Sequence, residues 1–484
     1  MSLWLSLSPI LLASAGAILG LAFDAFDRRG LAIGVVSAGL LAAGVVSGWL
    51  AIVYSPTLIN VTNMAVGRGY SAISAVVFLI AAITLVGGSK VLADASTGGQ
   101  VAVLTALLAA ASSLMASTLD LLIVIIALEA IAMISYALVS ARRQRRSDEA
   151  AMKYFIQGAV ATGFALYALS IIFGLFSGSV FLPEIAKSLT GAGRPALVAM
   201  ALLMGMYAFK LSAFPFHSWA PDAYETATPS VTAFMGTAPK LAILASLMLV
   251  FPMIGFSAEE FATSGFFLFA LLATASIVFG NFTGLKQTSF TRMLAYSGIA
   301  QVGYALVGAA AAFLLPQRTG FAVLVAGLAY AVAAAGAFMG AQAVRSAMPT
   351  WDGTVAGLAG VGRKRPALSA ALTVMMLSLT GIPLTAGFWG KFLAFGDAAT
   401  AGHAWLAAVG LLGSVVSFGY YGGVIRSMYL EEPSVVETDS APAGATPDMK
   451  AEWATIVLAV CVLAIGVLPF FYGLSFLSSV LALF

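Results

Sequence analysis

The chain has 484 residues, of which 61% are hydrophobic and only 9% charged, with a formal net charge of +3 and a mean hydropathy of +1.01. No soluble globular domain has this composition, and so small a charge gives no ground for nucleic-acid binding. A single cysteine, Cys461, excludes an internal disulfide and a cysteine-ligated metal cluster.

Apolar stretches of about 20 residues, the length that crosses a hydrocarbon core, recur from end to end. They predict spans near 8–26, 31–54, 71–92, 100–117, 120–140, 152–176, 196–217, 229–253, 263–283, 291–315, 320–345, 367–396, 403–429 and 453–480. The expected architecture is therefore all-α: one polytopic membrane domain of about fourteen helices in contact with lipid. Ile10–Phe23 has no cationic segment ahead of it and reads as the first span, not as a cleaved signal. Of the 23 Lys and Arg residues, four lie inside spans, four lie in even-numbered connections, and the other fifteen lie near odd-numbered connections. Such a bias places the odd connections in the cytoplasm and both termini outside. The longest polar insertion, residues 431–452, carries six acids and one lysine and reads as a mobile cytoplasmic loop.

An echo links two of these spans. Leu211-Ser-Ala-Phe-Pro215 resembles Leu379-Thr-Gly-Ile-Pro383, and a tryptophan follows each, Trp219 and Trp389. Five spans separate the copies, and an odd shift reverses direction through the membrane, which predicts two inverted five-helix repeats. The expected divisions are 1–99, 100–253 and 254–430, followed by the 431–452 loop and a last helix in 453–484. Pro215 lacks the amide that would bond the carbonyl of Leu211, and Pro383 lacks the one for Leu379, so both helices are expected to break. Freed carbonyls at membrane depth need water or side chains, which points to a polar interior there.

The buried charges carry the functional expectation. Glu129 lies midway along its span, and Lys210, Lys240 and Lys391 are similarly deep. Each ionised group at a helix centre costs roughly 2.5–3.5 kcal/mol, so these four must meet one another, polar groups or water. Burial loosens a lysine proton and a neighbouring carboxylate holds it, so moving the partner would move a proton. Static ion pairs that fix helix packing are the alternative. His217 is either a relay or a hydrogen-bonded interfacial residue. Lys153, near a cytoplasmic helix end, is expected to snorkel towards the surface.

Five segments together resemble a known family: "LEAIAMISYALV", "RRSDEAAMKYFIQGAVATGFALY", "FKLSAFPFHSWAPDAYETATPSVTAFMGTAPK", "LKQTSFTRMLAYSGIAQVGYALVG" and "LSLTGIPLTAGFWGKF". They occur in order, between about Ser112 and Met428, and are similar to the antiporter-like subunits of respiratory complex I, subunit N in particular. A lysine in "GFWGKF" and the absence of a long amphipathic C-terminal arm fit that subunit type. The resemblance implies that Glu129, Lys210, Lys240 and Lys391 form a hydrophilic axis for protons in a bacterial inner membrane. It also implies that NADH, flavin mononucleotide, iron–sulfur clusters and quinone belong to partner subunits, with no cofactor in this chain. Neighbouring membrane-arm subunits would be its partners. Gln301 stands where many relatives place histidine, so a histidine relay there is not expected. The alternatives are an Mrp-type cation/proton antiporter subunit, a relative of complex I fed by a deazaflavin or ferredoxin donor, or a scaffold that carries no protons.

Overall fold

A computed structural model of the protein describes residues 3–53, 59–61, 64–66, 68–188, 193–255, 259–315, 320–432 and 448–473. Most of the 431–452 insertion and the end of the last expected span lie outside the described residues. The helices in order are α1 (Leu3–Ala25), α2 (Arg29–Val53), α3 (Arg68–Asp94), α4 (Gly98–Ser117), α5 (Leu121–Ser140), α6 (Arg145–Leu175), α7 (Leu182–Ser188), α8 (Gly193–Leu211), α9 (Trp219–Thr226) and α10 (Pro229–Met235). After these come α11 (Ala238–Gly255), α12 (Glu259–Gly284), α13 (Phe290–Leu314), α14 (Phe321–Ala347), α15 (Val361–Lys364), α16 (Pro366–Thr380), α17 (Ala386–Thr400), α18 (Ala404–Leu430) and α19 (Met449–Tyr472). A hairpin of two three-residue strands, Ile59–Val61 and Met64–Val66, interrupts the helical pattern between α2 and α3.

Thirteen helical stretches among the described residues are long and apolar enough to cross a membrane. The remaining expected span, the twelfth at 367–396, is divided into α16 and α17, each too short to cross alone. α8 stops at Leu211 rather than at 217, and α9 begins only at Trp219. Two short helices, α7 and α9, lie in stretches read from sequence as connections, because eight residues or fewer carry no usable periodicity.

Depth of burial orders the helices. The 229–251 stretch is buried throughout, and α13 and α14 are nearly so, whereas only 28% of the residues in the spans of α1 and α6 are buried. α14 packs against α10, α11, α13, α16, α17 and α19, which makes it the centre of the bundle. Lipid is as apolar as leucine, so close approach of small residues drives this packing. Gly336 and Gly340 of α14 accordingly sit where any side chain would meet Met375 and Leu372 of α16.

Candidate functional site

Each interruption follows from a local cause. α8 ends because Ser212 takes a left-handed conformation (φ 57°), and Ala213 N–H then closes back onto the Ala208 carbonyl at 2.8 Å. Pro215 supplies no amide for Leu211, and the Ser212 hydroxyl donates to that carbonyl instead, at 2.5 Å. Phe214 N–H reaches the Ser276 hydroxyl of α12 (3.0 Å), and the Trp219 indole donates to the Phe209 carbonyl (3.1 Å). α16 ends at Gly381, whose φ of 95° suits glycine, with both Gly381 and Ile382 amides bonding the Leu377 carbonyl. A third interruption, at Gly236-Thr237 between α10 and α11, was not anticipated from sequence, although Pro239 in the first turn of α11 follows Met235 at the same four-residue spacing as Pro215 follows Leu211 and Pro383 follows Leu379.

The buried lysines sit at these interruptions. Lys391 of α17 is 7% exposed, and its Nζ donates to the Leu379 carbonyl at 2.9 Å and the Thr380 carbonyl at 2.7 Å. Leu379 is the residue that Pro383 leaves without an amide partner. Gln301 Nε2 of α13 donates to the same oxygen at 2.6 Å. Lys240, in the first turn of α11 and 2% exposed, donates to Ser212 Oγ at 2.7 Å, so it reaches into the α8 interruption. Gly298 makes room for it: a side chain there would come within 2.7 Å of the Tyr330 hydroxyl and 3.8 Å of Lys240 Nζ. Tyr330 lies 5.6 Å from Lys240 Nζ by its ring centre, and its hydroxyl donates to the Gly236 carbonyl at the third interruption. A cavity of about 10 Å³ joins Tyr330 and Gln301 to Lys391. That volume suits roughly one water molecule.

Lys210, in the last turn of α8, is 3% exposed, and its Nζ has no hydrogen-bond partner among the described residues. Three rings surround it, Phe209 at 5.3 Å, Tyr136 at 5.7 Å and Tyr154 at 6.0 Å. Glu129 is within Coulombic reach but makes no ion pair with Lys210 inside 4 Å. Its carboxylate instead accepts a 2.5 Å hydrogen bond from Thr162 of α6. Magnitudes separate Lys391 from Lys210. Two charged hydrogen bonds, worth about 1.5–3 kcal/mol each, offset the insertion cost of Lys391. Aromatic faces give Lys210 only about 0.5–2 kcal/mol. The charge on Lys210 therefore depends most on what stands nearby.

The remaining expected residues divide. His217 is buried between Phe279 (4.3 Å between ring centres) and Phe214 (5.3 Å), with Nδ1 unpartnered among the described residues. Lys153 is half-exposed and pairs with Glu149 (2.8 Å) and Asp222 (3.2 Å). Asp222 and Glu225 of α9 also bind Arg292 of α13, at 2.8 and 3.0 Å. This network ties α6 and α13 to α9. Burial opposes ionisation of Asp222, yet the Arg292 guanidinium and the Lys153 ammonium hold its carboxyl below the usual carboxylate range. Sequence reading passed over Ser212, Thr162, Asp222, Tyr330 and Tyr421, which contacts Ser297 and Gln301. A hydroxyl beside a helix-breaking proline was the available signal for Ser212.

Fold and site together define a multi-pass membrane protein whose interrupted helices enclose three buried lysines. Residues 118–417 match the family described as NADH:quinone oxidoreductase/Mrp antiporter, TM. NADH-quinone oxidoreductase subunit N of Rhizorhabdus wittichii is 35% identical over 483 residues, covering 96% of this chain and 94% of the relative. NADH-quinone oxidoreductase subunit N 2 of Symbiobacterium thermophilum is 42% identical over 332 residues; that match covers 66% of this chain and 64% of the relative, a little less than two thirds of its length. A chain of respiratory complex I from Thermus thermophilus with bound aureothin superimposes with a TM-score of 0.77 at 29% identity, covering 98% of this chain and 99% of that one. The chain belongs to the NADH-quinone oxidoreductase subunit N family.

Proposed function

We propose that the chain is a proton-translocating membrane-arm subunit of a complex-I-like NADH:quinone oxidoreductase, working beside neighbouring antiporter-like and small subunits. NADH, flavin, iron–sulfur clusters and quinone would be held by those partners. The observation that carries this reading is that Lys240 and Lys391 are buried donors to groups exposed by helix interruption, with Lys210 two residues before one of them. Protons would pass along Lys210, Lys240 and Lys391, with Glu129 setting the charge of Lys210. Ser212, Tyr330 and the one-water cavity before Lys391 support that order. Residues 100–253 and 254–430 would act as two inverted half-channels. The matched interruptions at Leu211 and Leu379 support this division. The cation bias of odd connections supports a cytoplasmic side for the 141–149 loop and outward termini, in a bacterial inner membrane.

An Mrp-type antiporter subunit is the second reading, favoured by the breadth of the family that residues 118–417 match. The test is to purify the intact assembly, assay flavin and iron, and follow NADH-driven proton uptake in vesicles. A redox pump has flavin and iron and acidifies the lumen on adding NADH and quinone. An assembly without either that exchanges cations for protons would establish the antiporter instead.

A further inference from the structure

A groove away from the lysines runs along the outer face of the bundle between α2 and α3, capped by the start of α19. It forms a cavity of about 690 Å³. A second hollow of about 430 Å³ shares Gly30 and Ala93 with it and extends it past Arg28 and Arg29. One wall is Gly30, Gly34, Ala38 and Leu41 of α2, and Val86 of α3 faces them. Adding a side chain at Gly30 or Gly34 would meet nothing within 4 Å, so the glycines leave real space. From Gly30 to Leu41 is about 16 Å along a helix, close to the hydrocarbon depth of one leaflet.

The mouth of the groove is cationic. Arg28, Arg29, Lys90 and Lys450 line it, against the carboxylates of Asp27 and Asp448. Asp27 is held by Arg29 at 2.7 Å, and Asp448 Oδ1 accepts from the Lys450 and Ala451 amides at the start of α19. Asp448 is 4% exposed, and its Oδ2 has no hydrogen-bond partner among the described residues. A buried acceptor beside a group of cations asks for a ligand that carries both a negative charge and a donor.

We propose that this groove binds an anionic glycerophospholipid with a hydroxyl-bearing headgroup, of the phosphatidylglycerol class. Its phosphate lies among Arg28, Lys90 and Lys450, a headgroup hydroxyl donates to Asp448 Oδ2, and one acyl chain lies along Gly30, Gly34 and Leu41. Such a lipid would staple α19 to the α2–α3 pair from the leaflet on the cation-bearing side.

The test uses the intact assembly in lipid nanodiscs with a phosphatidylglycerol that carries a photoreactive acyl chain, and mass spectrometry of the labelled peptides. Labelling is expected within residues 30–41 and 86–93, competed by unlabelled phosphatidylglycerol. Phosphatidylcholine should compete roughly tenfold less well, because it has no net charge. Phosphatidylmethanol keeps the charge but has no hydroxyl, and it should fall between the two. Gly34→Phe, which fills the groove, and the pair Lys90→Gln with Lys450→Gln should each reduce labelling roughly tenfold at unchanged subunit composition, while Lys90→Arg with Lys450→Arg retains it. Equal competition by phosphatidylcholine would reduce the site to bulk lipid and overturn the proposal. So would a partner subunit crosslinked to the same peptides, or labelling indifferent to Gly34→Phe. Should a variant not assemble, the competition series on the unaltered assembly decides alone.

Discussion

Lys391 and Gln301 donate to one acceptor, the main-chain carbonyl oxygen of Leu379, at 2.9 and 2.6 Å. The acceptor is open because Pro383, four residues on, has no amide to offer it. A helix-breaking residue, a buried cation and a non-titrating amide thus meet at one atom. Gln301 holds the carbonyl while Lys391 keeps a second anchor at Thr380, so the ammonium can leave Leu379 without orphaning it.

Pro383→Ala restores an amide donor for Leu379 and so competes with both side chains. The α16–α17 gap should narrow and proton translocation fall about tenfold, the equivalent of roughly 1.4 kcal/mol and so just under the low end for one charge-assisted hydrogen bond. Pro215→Ala should act similarly on Leu211. Structures of both variants that kept the same gaps, with pumping intact, would make the prolines incidental.

Glu129→Gln is nearly isosteric and can still accept from Thr162, so assembly should survive. It removes the carboxylate charge within reach of Lys210, the lysine with the weakest local support, and coupled turnover should drop by at least about tenfold. Full pumping by an assembled Glu129→Gln complex would remove Glu129 from the mechanism.

Lys240 separates a pump from a scaffold. Arginine keeps the charge but holds its proton too tightly to relay it, while methionine removes the charge at similar length. A pump requires both variants to fail in vesicle proton uptake normalised to assembled enzyme. Wild-type behaviour of Lys240→Arg would favour a static role.

Ser212→Ala takes away the acceptor of Lys240 and the donor to Leu211 together. Leaving a buried ammonium and a carbonyl unpaired should cost about 1–3 kcal/mol, seen as a lower unfolding temperature of the assembly. An unchanged melting profile would mean that other groups fill both roles.

The α9 network should respond to acid. The Asp222 carboxyl is held below its ordinary value, so its contribution is complete above the unfolded carboxylate range near pH ~4 and is lost as pH falls through the folded value. Protection against hydrogen exchange at residues 219–226, corrected for the intrinsic pH dependence of exchange, should fall on acidification below about pH 4, and Asp222→Asn should lower it at neutral pH and weaken the acid response, leaving the part due to Glu225 and Glu149. Its contribution at neutral pH is small, about 1 kcal/mol or less, because these pairs are partly exposed.

Sequence alone determined what depends on local composition and covalent chemistry. Stretches of about 20 apolar residues marked the membrane-length helices and their order, since a bilayer leaves backbone polar groups no partner but their own helix. Pro215 and Pro383 marked two interruptions, and the cost of charge in lipid singled out Glu129, Lys210, Lys240 and Lys391. Tertiary structure decided which groups meet. Lys240 bonds Ser212, 28 residues away, and Gln301 bonds Leu379, 78 residues away, so no periodicity could report either contact. It also separated Glu129 from direct contact with Lys210 and turned Pro239, which lies within one continuous apolar stretch, into the edge of a gap at Gly236-Thr237. Local propensity fixes where a helix can form or must stop, whereas the partner of a buried polar group is chosen by helix packing across the bundle.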